Sequence, residues 1–285
     1  MKPTARLGAR GYSQRTEANM KTTCIDIHTH AFPDGLAARA IATLEKGCPW
    51  KATGNGTVAG LLASMDQAGV QVSVLCPIAT RAVQTEGILA WCREIRTQRI
   101  IPLPSIHPDT PDPAIWIRRF ADEGFLGIKF HPMYQNFKAD EPRLAPIYQA
   151  ASDCGLFVTS HCGKDIAFPL DDDRAAPDRF ARVMQQFSKL KLVCTHMGGW
   201  KDWDAAMTCL VGKDCYLETS MSMGQMQPEQ AREMIARHGY QRVLLGSDWP
   251  WQTQQQSLDG VRALGLPPEQ TQAILGENAR ALLGI

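Results

Sequence analysis

The sequence predicts a single α/β domain, a (β/α)8 barrel, and three observations support this prediction. Short apolar segments alternate with amphipathic segments from residue 22 onward, and eight strands with about as many helices is the number that such a barrel contains. The apolar segments are almost continuously hydrophobic, as in parallel strands that helices cover. No G-x-G-x-x-G or G-K-[ST] motif follows any of them, which argues against a nucleotide-binding open sheet, the structural alternative.

The predicted strands are rich in aliphatic and β-branched residues, and turn-forming residues bound most of them. They span residues 22–30, 72–79, 100–108, 125–132, 156–163, 190–198, 215–220 and 242–248.

The predicted helices begin at capping residues and end at glycine or near the next strand. Thr57 is the expected N-cap of the first, and Gly69 ends it. The segments with this pattern span residues 57–69, 112–124, 141–155, 177–189, 227–239 and 267–285.

The N-terminal segment differs in composition from the rest of the chain. Its first 20 residues carry four basic residues and one acidic residue, without apolar periodicity. This pattern lacks the apolar core of a secretory signal. We therefore predict a flexible tail over residues 1–21 and the barrel over residues 22–285.

The overall composition narrows the classes of partner. Lysine and arginine total 30, aspartate and glutamate total 29, and this balance argues against a nucleic-acid partner. No apolar run approaches the roughly 20 residues that a membrane helix requires. The nine cysteines include no C-x-x-C pair, which favours reduced thiols and a cytoplasmic location. The sequence leaves open whether the chain forms a homo-oligomer.

Metal-competent side chains recur where the predicted strands end. In "CIDIHTH", two histidines separated by one residue project from the same side of an extended strand. In a barrel, the carboxyl ends of the strands form the active site. Burying so many ionisable groups together is costly without a metal ion. The residues at these ends are His28, His30, Lys129, His131, His161, His196 and Asp248.

Six motifs resemble those of the amidohydrolase superfamily, and the nearest branch is the amidohydrolase-2 group of metal-dependent hydrolases and non-oxidative decarboxylases. The motifs are "IDIHTH", "GIKFHP", "SHCG", "CTHMGG", "LLGSDWP" and "GENARALLG". They follow one another in the order and spacing of that family from about residue 22 to the C-terminus.

The resemblance assigns roles to individual positions. It implies that His28, His30, His161 and Asp248 bind one divalent ion, and that His196 is a catalytic residue beside it. Asp248 also carries protons. Among metals, Zn²⁺ is the expected ion, and Mn²⁺ or Co²⁺ would suit the same ligands.

Lys129 is open to two interpretations. In binuclear members of the superfamily, a lysine on the fourth strand is carboxylated and bridges two metals. The branch that this sequence resembles generally uses one metal. We therefore expect Lys129, together with His131, to bind the substrate.

These residues predict a metal-dependent hydrolase. We expect metal-activated water to cleave an ester, lactone or amide bond of a small anionic substrate. The alternative is a non-oxidative decarboxylase of a small aromatic carboxylic acid. Related decarboxylases usually have a glutamate after the H-M-G motif, where this sequence has Gly199, and this difference favours hydrolysis. A binding protein that has kept the metal site is a third alternative.

Loops at the strand ends are expected to determine the substrate. The longest, over residues 31–56, is a candidate lid. Tyr134, Phe137, Trp249 and Trp251 lie in two other loops. They either form an apolar wall for a substrate that contains a ring or pack the loops onto the barrel.

Overall fold

This computed structural model describes residues 23–285, so the tail predicted over residues 1–21 lies outside the described residues. The described chain contains eight strands, all paired in parallel, in the number that the sequence predicts. They are β1 (Cys24–Thr29), β2 (Val70–Leu75), β3 (Ile100–Pro102), β4 (Gly127–Phe130), β5 (Phe157–Ser160), β6 (Leu192–Cys194), β7 (Tyr216–Glu218) and β8 (Val243–Leu244).

The strands form two sheets whose edges meet. One sheet has the order β1-β2-β3 and the other the order β4-β5-β6-β7-β8. At one seam the N–H of Ile27 donates to the carbonyl of Leu245, with 2.9 Å between nitrogen and oxygen. At the other, the N–H of Lys129 donates to the carbonyl of Pro104 at 3.2 Å. The strands thus follow one another around a ring in chain order, as in the predicted (β/α)8 barrel.

Helices follow the strands along the chain, and the longest lies in the segment predicted as a loop. They are α1 (Asp34–Lys46), α2 (Val58–Ala68), α3 (Thr85–Ile95), α4 (Pro113–Asp122), α5 (Ala145–Asp153), α6 (Pro177–Gln186), α7 (Trp203–Cys209), α8 (Pro228–His238), α9 (Gln254–Arg262), α10 (Pro268–Gln272) and α11 (Asn278–Leu283). Among residues 23–285, no helix combines the length and the apolar character that crossing a membrane requires.

Helix α2 begins and ends as its sequence predicts. The hydroxyl of Thr57 accepts the N–H of Gly60 at 3.0 Å, which satisfies one of the unpaired donors at the helix start. Gly69 adopts a φ of 73°, a left-handed conformation that favours glycine and ends the helix.

Apolar side chains from the strands fill the interior of the ring. Ile25 and Ile27 of β1, Phe157 of β5 and Val193 of β6 belong to one buried cluster, although β1 and β5 lie on opposite sides of the ring. A larger cluster packs the helices onto the outside of the sheets. Because most strand residues are buried on both faces of the sheets, the strand sequences are almost continuously apolar.

A buried glutamine ties together the loops that follow β2, β3 and β4. The side-chain N–H groups of Gln135 donate to the carbonyls of Ala79 and Ile106, both at 2.9 Å. Its amide oxygen accepts the backbone N–H of His131 at 2.8 Å. This amide therefore fixes the backbone on which His131 enters the cavity described below.

Candidate metal and active site

Three of the predicted ligands converge at the carboxyl end of β1 and the loop after β8. The Nε2 atoms of His28 and His30 lie 3.1 Å apart. Asp248 Oδ1 is 3.0 Å from Nε2 of His30 and 3.4 Å from Nε2 of His28. We refer to His28, His30 and Asp248 as the metal cluster.

The hydrogen bonds of His30 fix where its proton lies. Its Nδ1 is 2.7 Å from the carbonyl oxygen of Cys76. A carbonyl oxygen only accepts hydrogen bonds, so Nδ1 carries the proton. In the neutral ring, Nε2 then presents a lone pair toward Asp248, and two acceptors face each other.

His28 has the same arrangement. Its Nδ1 lies 3.0 Å from Glu218 Oε1, a carboxylate oxygen that accepts the Nδ1 proton. Burial lowers the pKa of His28 well below its usual value, and the nearby charge of Lys129 lowers it further, so the ring is neutral. Its Nε2 lone pair faces Lys129 Nζ at 2.8 Å, and a metal ion at this nitrogen would replace that hydrogen bond.

The metal cluster fits a divalent ion. Burial alone raises the pKa of Asp248, but positive charge on the neighbouring imidazoles, when they are protonated, holds the pKa well below its usual value. The carboxylate is therefore ionised, and a bound metal ion would supply the positive charge in place of the imidazole protons. Ligand atoms about 2.0–2.1 Å from a tetrahedral ion are roughly 3.3 Å apart, and the observed separations are 3.0–3.4 Å. A cation placed among these acceptors would remove their mutual repulsion.

The fourth predicted ligand, His161, lies beside the predicted catalytic residue His196. Nδ1 of His161 is 3.1 Å from Nε2 of His196. Nε2 of His161 donates to the carbonyl of Lys164 at 3.0 Å. Nδ1 of His196 donates to the carbonyl of Ser220 at 3.1 Å. The ring centroids of His196 and His28 are 5.3 Å apart, so this pair adjoins the metal cluster.

Glu218, which the sequence reasoning did not single out, links the two groups of histidines. Its buried carboxylate contacts His28 and accepts the backbone N–H of His196 at 2.8 Å and the hydroxyl of Ser220 at 2.6 Å. Gly246 of the loop after β8 has its Cα directed at this carboxylate, and a Cβ there would collide with Glu218 Oε2. The only signal in the sequence is one acidic residue at the end of the apolar run "CYLETS".

Asp26 is a second buried carboxylate that the sequence reasoning missed. It accepts hydrogen bonds from the backbone N–H groups of His28 and Ser247, the hydroxyl of Ser247 and the side-chain amide of Gln254, at 2.6–3.1 Å. Burial raises its pKa to about 7 despite these bonds. Asp26 thus holds the turn before Asp248, whose φ of 63° lies in the left-handed region.

The two predicted substrate contacts occupy different positions. Lys129 is fully buried and contacts His28 as described, and it does not line the cavity. His131 does line the cavity, and its ring stacks on that of His161 with centroids 4.2 Å apart. Nε2 of His131 lies 3.2 Å from Asp165 Oδ2 in the loop after β5.

The metal cluster opens into a cavity of about 530 Å³. Trp50, Trp91, Trp200 and Trp251 line it together with many aliphatic side chains. Of the four loop aromatics considered from sequence, Tyr134 and Trp251 line the cavity. Phe137 and Trp249 are each 2% exposed and do not line it, so they pack the loops onto the barrel.

Solved structures share this fold at low sequence identity. A 5-carboxyvanillate decarboxylase from Sphingomonas paucimobilis is 19% identical, with a TM-score of 0.69 over 93% of this chain and 99% of that chain. A 5-carboxyvanillate decarboxylase from Novosphingobium aromaticivorans, complexed with manganese and a nitrobenzoic acid, is 14% identical, with a TM-score of 0.69 over 95% and 98%. A probable 2-pyrone-4,6-dicarboxylic acid hydrolase from Acinetobacter baumannii is 16% identical, with a TM-score of 0.66 over 92% and 100%.

No curated protein matches the chain by sequence. The family model described as Amidohydrolase matches residues 25–285. This match begins within β1, before the two histidines of the metal cluster, and continues to the last residue. The chain therefore belongs to the amidohydrolase family.

Proposed function

We propose that the protein is a metal-dependent non-oxidative decarboxylase of an aromatic carboxylic acid. The observation that carries this proposal is the buried metal cluster at the floor of a cavity lined by aromatic side chains. Two of the three solved structures compared above are decarboxylases of an aromatic acid, which supports this alternative over the hydrolase that the sequence favoured.

The metal cluster would hold one divalent ion, with His161 as a further ligand. Zinc remains the ion expected from sequence, and manganese is supported by the complex named above. When bound, the ion supplies positive charge that holds the substrate carboxylate and an adjacent oxygen in place.

His196 is the proposed proton donor. It lines the cavity, and its Nδ1 is held by Ser220 and lies 3.9 Å from the Glu218 carboxylate. In the proposed step His196 is protonated and faces that carboxylate. The imidazolium transfers a proton from Nε2 to the ring carbon that bears the carboxylate, and a C–H bond forms. The C–C bond then breaks, its electron pair restores the aromatic ring, and carbon dioxide leaves.

The glycine at position 199 is weaker evidence against decarboxylation than the sequence suggests. A Cβ on Gly199 would lie 3.0 Å from Pro177 Cγ and 3.1 Å from the carbonyl oxygen of Asp202. Position 199 does not line the cavity. A glutamate there would point toward α6 and α7, so its absence removes no group from the cavity.

Hydrolysis is the second candidate. Asp248 lines the cavity beside the metal cluster, where it can take a proton from water and deliver it to a leaving group. One compared structure is a probable hydrolase of a pyrone dicarboxylic acid.

The two candidates are separated by their products. The metal-loaded protein is incubated with hydroxylated benzoic acids and, separately, with lactones, esters and amides. We expect carbon dioxide and the corresponding phenol from a hydroxybenzoate, and no product from His28→Ala. Hydrolysis of a lactone or amide without release of carbon dioxide from any acid would reject the decarboxylase proposal.

A further inference from the structure

The walls of the cavity differ in chemistry. The charged and imidazole groups that line it come from strand ends and from the loop after β5. The lining residues of α1 and α3 carry no charge. We define the apolar subsite as Leu36, Leu44, Ile78, Gly87, Ile88 and Trp91.

The apolar subsite leaves hydrophobic surface exposed to water. Leu36 is 44% exposed, and the side chains of Ile88 and Trp91 are only half-buried. Within residues 23–285, Trp91 pairs with no other aromatic ring and its indole N–H donates no hydrogen bond. Apolar surface in a concave site is stabilised when a ligand covers it.

The volume of the cavity exceeds what a single-ring acid fills. About 530 Å³ is within the range of roughly 300–1,000 Å³ typical of sites for drug-sized ligands. It equals the volume of roughly 18 water molecules at about 30 Å³ each. A hydroxybenzoate seated at the metal cluster would leave the apolar subsite in contact with water.

The positive charges that line the cavity limit how many anionic groups the ligand can carry. Among the described residues that line it, Lys164 is the only lysine or arginine. Lys164 forms no ion pair within the described chain. Besides a carboxylate at the metal cluster, the cavity therefore has positive charge for one further anionic group at most, and the apolar subsite suits an uncharged, apolar part of the ligand.

We infer that the apolar subsite binds a second ring of the substrate, so that the substrate class is a hydroxylated aromatic carboxylic acid bearing an apolar aryl substituent. This inference rests on the proposed function for the identity of the acid. The inference adds the position of the aryl substituent of the substrate, which would lie between the lining residues of α1 and α3.

The test compares ligands that share one polar end. Binding of 2-hydroxybenzoate and of its 4-phenyl and 5-phenyl derivatives to the metal-loaded protein is followed by tryptophan fluorescence in a stopped-flow instrument, before any turnover. Burying a phenyl ring should make the better phenyl derivative bind about 10- to 100-fold more tightly than 2-hydroxybenzoate. Carbon dioxide release is measured separately on the same acids.

Gly87 allows the location to be tested. A Cβ added to Gly87 of α3 meets no atom within 4 Å, so Gly87→Leu introduces an apolar side chain at the lining of the apolar subsite without a clash at its Cβ. It replaces a helical glycine with a better helix former, which protects folding. Gly35 of α1 is also unobstructed and does not line the cavity, so Gly35→Leu is the matched control. We expect Gly87→Leu to reduce the preference for the phenyl derivative by about tenfold or more, and Gly35→Leu to leave it unchanged.

Each outcome decides between the two proposals. Equal affinities for the single-ring and phenyl acids, or a preference that Gly87→Leu leaves intact, would overturn the apolar subsite. Tighter binding of a phenyl acid that releases no carbon dioxide would support the subsite and count against decarboxylation. Release of carbon dioxide from 2-hydroxybenzoate without any preference for the phenyl acids would support decarboxylation and count against the apolar subsite.

Discussion

Glu218 Oε1 lies 3.0 Å from Nδ1 of His28. The same carboxylate accepts the backbone N–H of His196, so one buried group orients a residue of the metal cluster and the proposed proton donor. A carboxylate that accepts the second proton of an imidazole fixes its tautomer and makes the other nitrogen a stronger ligand. We therefore expect Glu218 to strengthen metal binding through this hydrogen bond to His28.

Replacing Glu218 should weaken metal binding. Glu218→Gln keeps the shape of the side chain but removes the charge that favours the Nδ1 proton of His28. We expect metal affinity to fall by about 10- to 100-fold, measured by competition with a chromogenic chelator. Glu233→Gln, on the exposed face of α8, is the control and should bind metal like the parent. Unchanged affinity in Glu218→Gln would show that the hydrogen bond does not tune the site.

The metal content should be about one divalent ion per chain. Elemental analysis of the purified protein measures it, and His28→Ala should lose the ion because one of the three converging ligand atoms is gone. Two ions per chain, with the added mass of a carboxyl group on Lys129, would contradict the mononuclear site and support the bridged one.

His196→Gln should separate chemistry from metal binding. His196 is not one of the three residues of the metal cluster, so metal content should stay at the level of the parent. Loss of the metal would point instead to the second group of candidate ligands, His28, His196 and Glu218. Turnover of the aromatic acid should fall by a factor of about 10² to 10⁴, the usual contribution of a positioned acid–base group. Turnover close to that of the parent would show that another residue, Asp248 first, donates the proton.

Asp26→Asn should destabilise the fold. The carboxylate accepts four hydrogen bonds, whereas an amide has only one acceptor oxygen and would direct its N–H₂ group at other donors. We expect the free energy of unfolding to fall by about 1–3 kcal/mol, measured by urea titration. Asp259→Asn, whose side chain is exposed on α9, serves as the control. Equal losses in both variants would indicate that the buried network adds no stability.

His238, far from the cavity, should make stability depend on pH. Burial lowers its pKa from 6.5 to about 4 in the folded protein, where its ring accepts the N–H of Gly212 and donates to the carbonyl of Cys215. Below pH 6.5 the unfolded chain gains a proton that the folded protein takes up only near pH 4. Stability should therefore fall as the pH drops through this window, by about 3 kcal/mol in total.

The matched variant for this prediction is His238→Gln, whose amide can make both hydrogen bonds but does not titrate. Urea unfolding of both proteins at pH 7, 5.5 and 4 measures the difference. Parallel losses of stability in the two proteins would show that His238 is not the group responsible.

The barrel could be predicted from the sequence because the same strand pattern repeats along the chain. Most strand residues are buried, so the strands have apolar sequences, and five of the eight predicted strands carry a predicted site residue at the carboxyl end. The histidines of β1 were recognisable because they share a face of one strand, so local geometry alone brings them together.

The partners of these histidines could not be predicted in the same way. Glu218 of β7 reaches His28 of β1 past β8, which lies between these two strands, and this contact depends on how the strands are staggered rather than on any local pattern. In the sequence Asp26 looks like any other acidic residue, because its contact with the turn before Asp248 appears only in the folded chain. Helix α1 was also missed, although "LAARAIATLEK" is rich in helix formers, because most of its residues are exposed and only Ala37 is buried.

The contact between His28 of β1 and Glu218 of β7 requires a glycine at position 246. Because there is no room for a Cβ between its Cα and the carboxylate of Glu218, alanine at this position would push that carboxylate away from His28. One added methyl group, on a residue that binds neither metal nor substrate, could thus disable the enzyme while every ligand remained in the sequence. A search for active relatives that checks only the histidines and aspartates would accept such a chain, and the residue at this position would identify it as inactive.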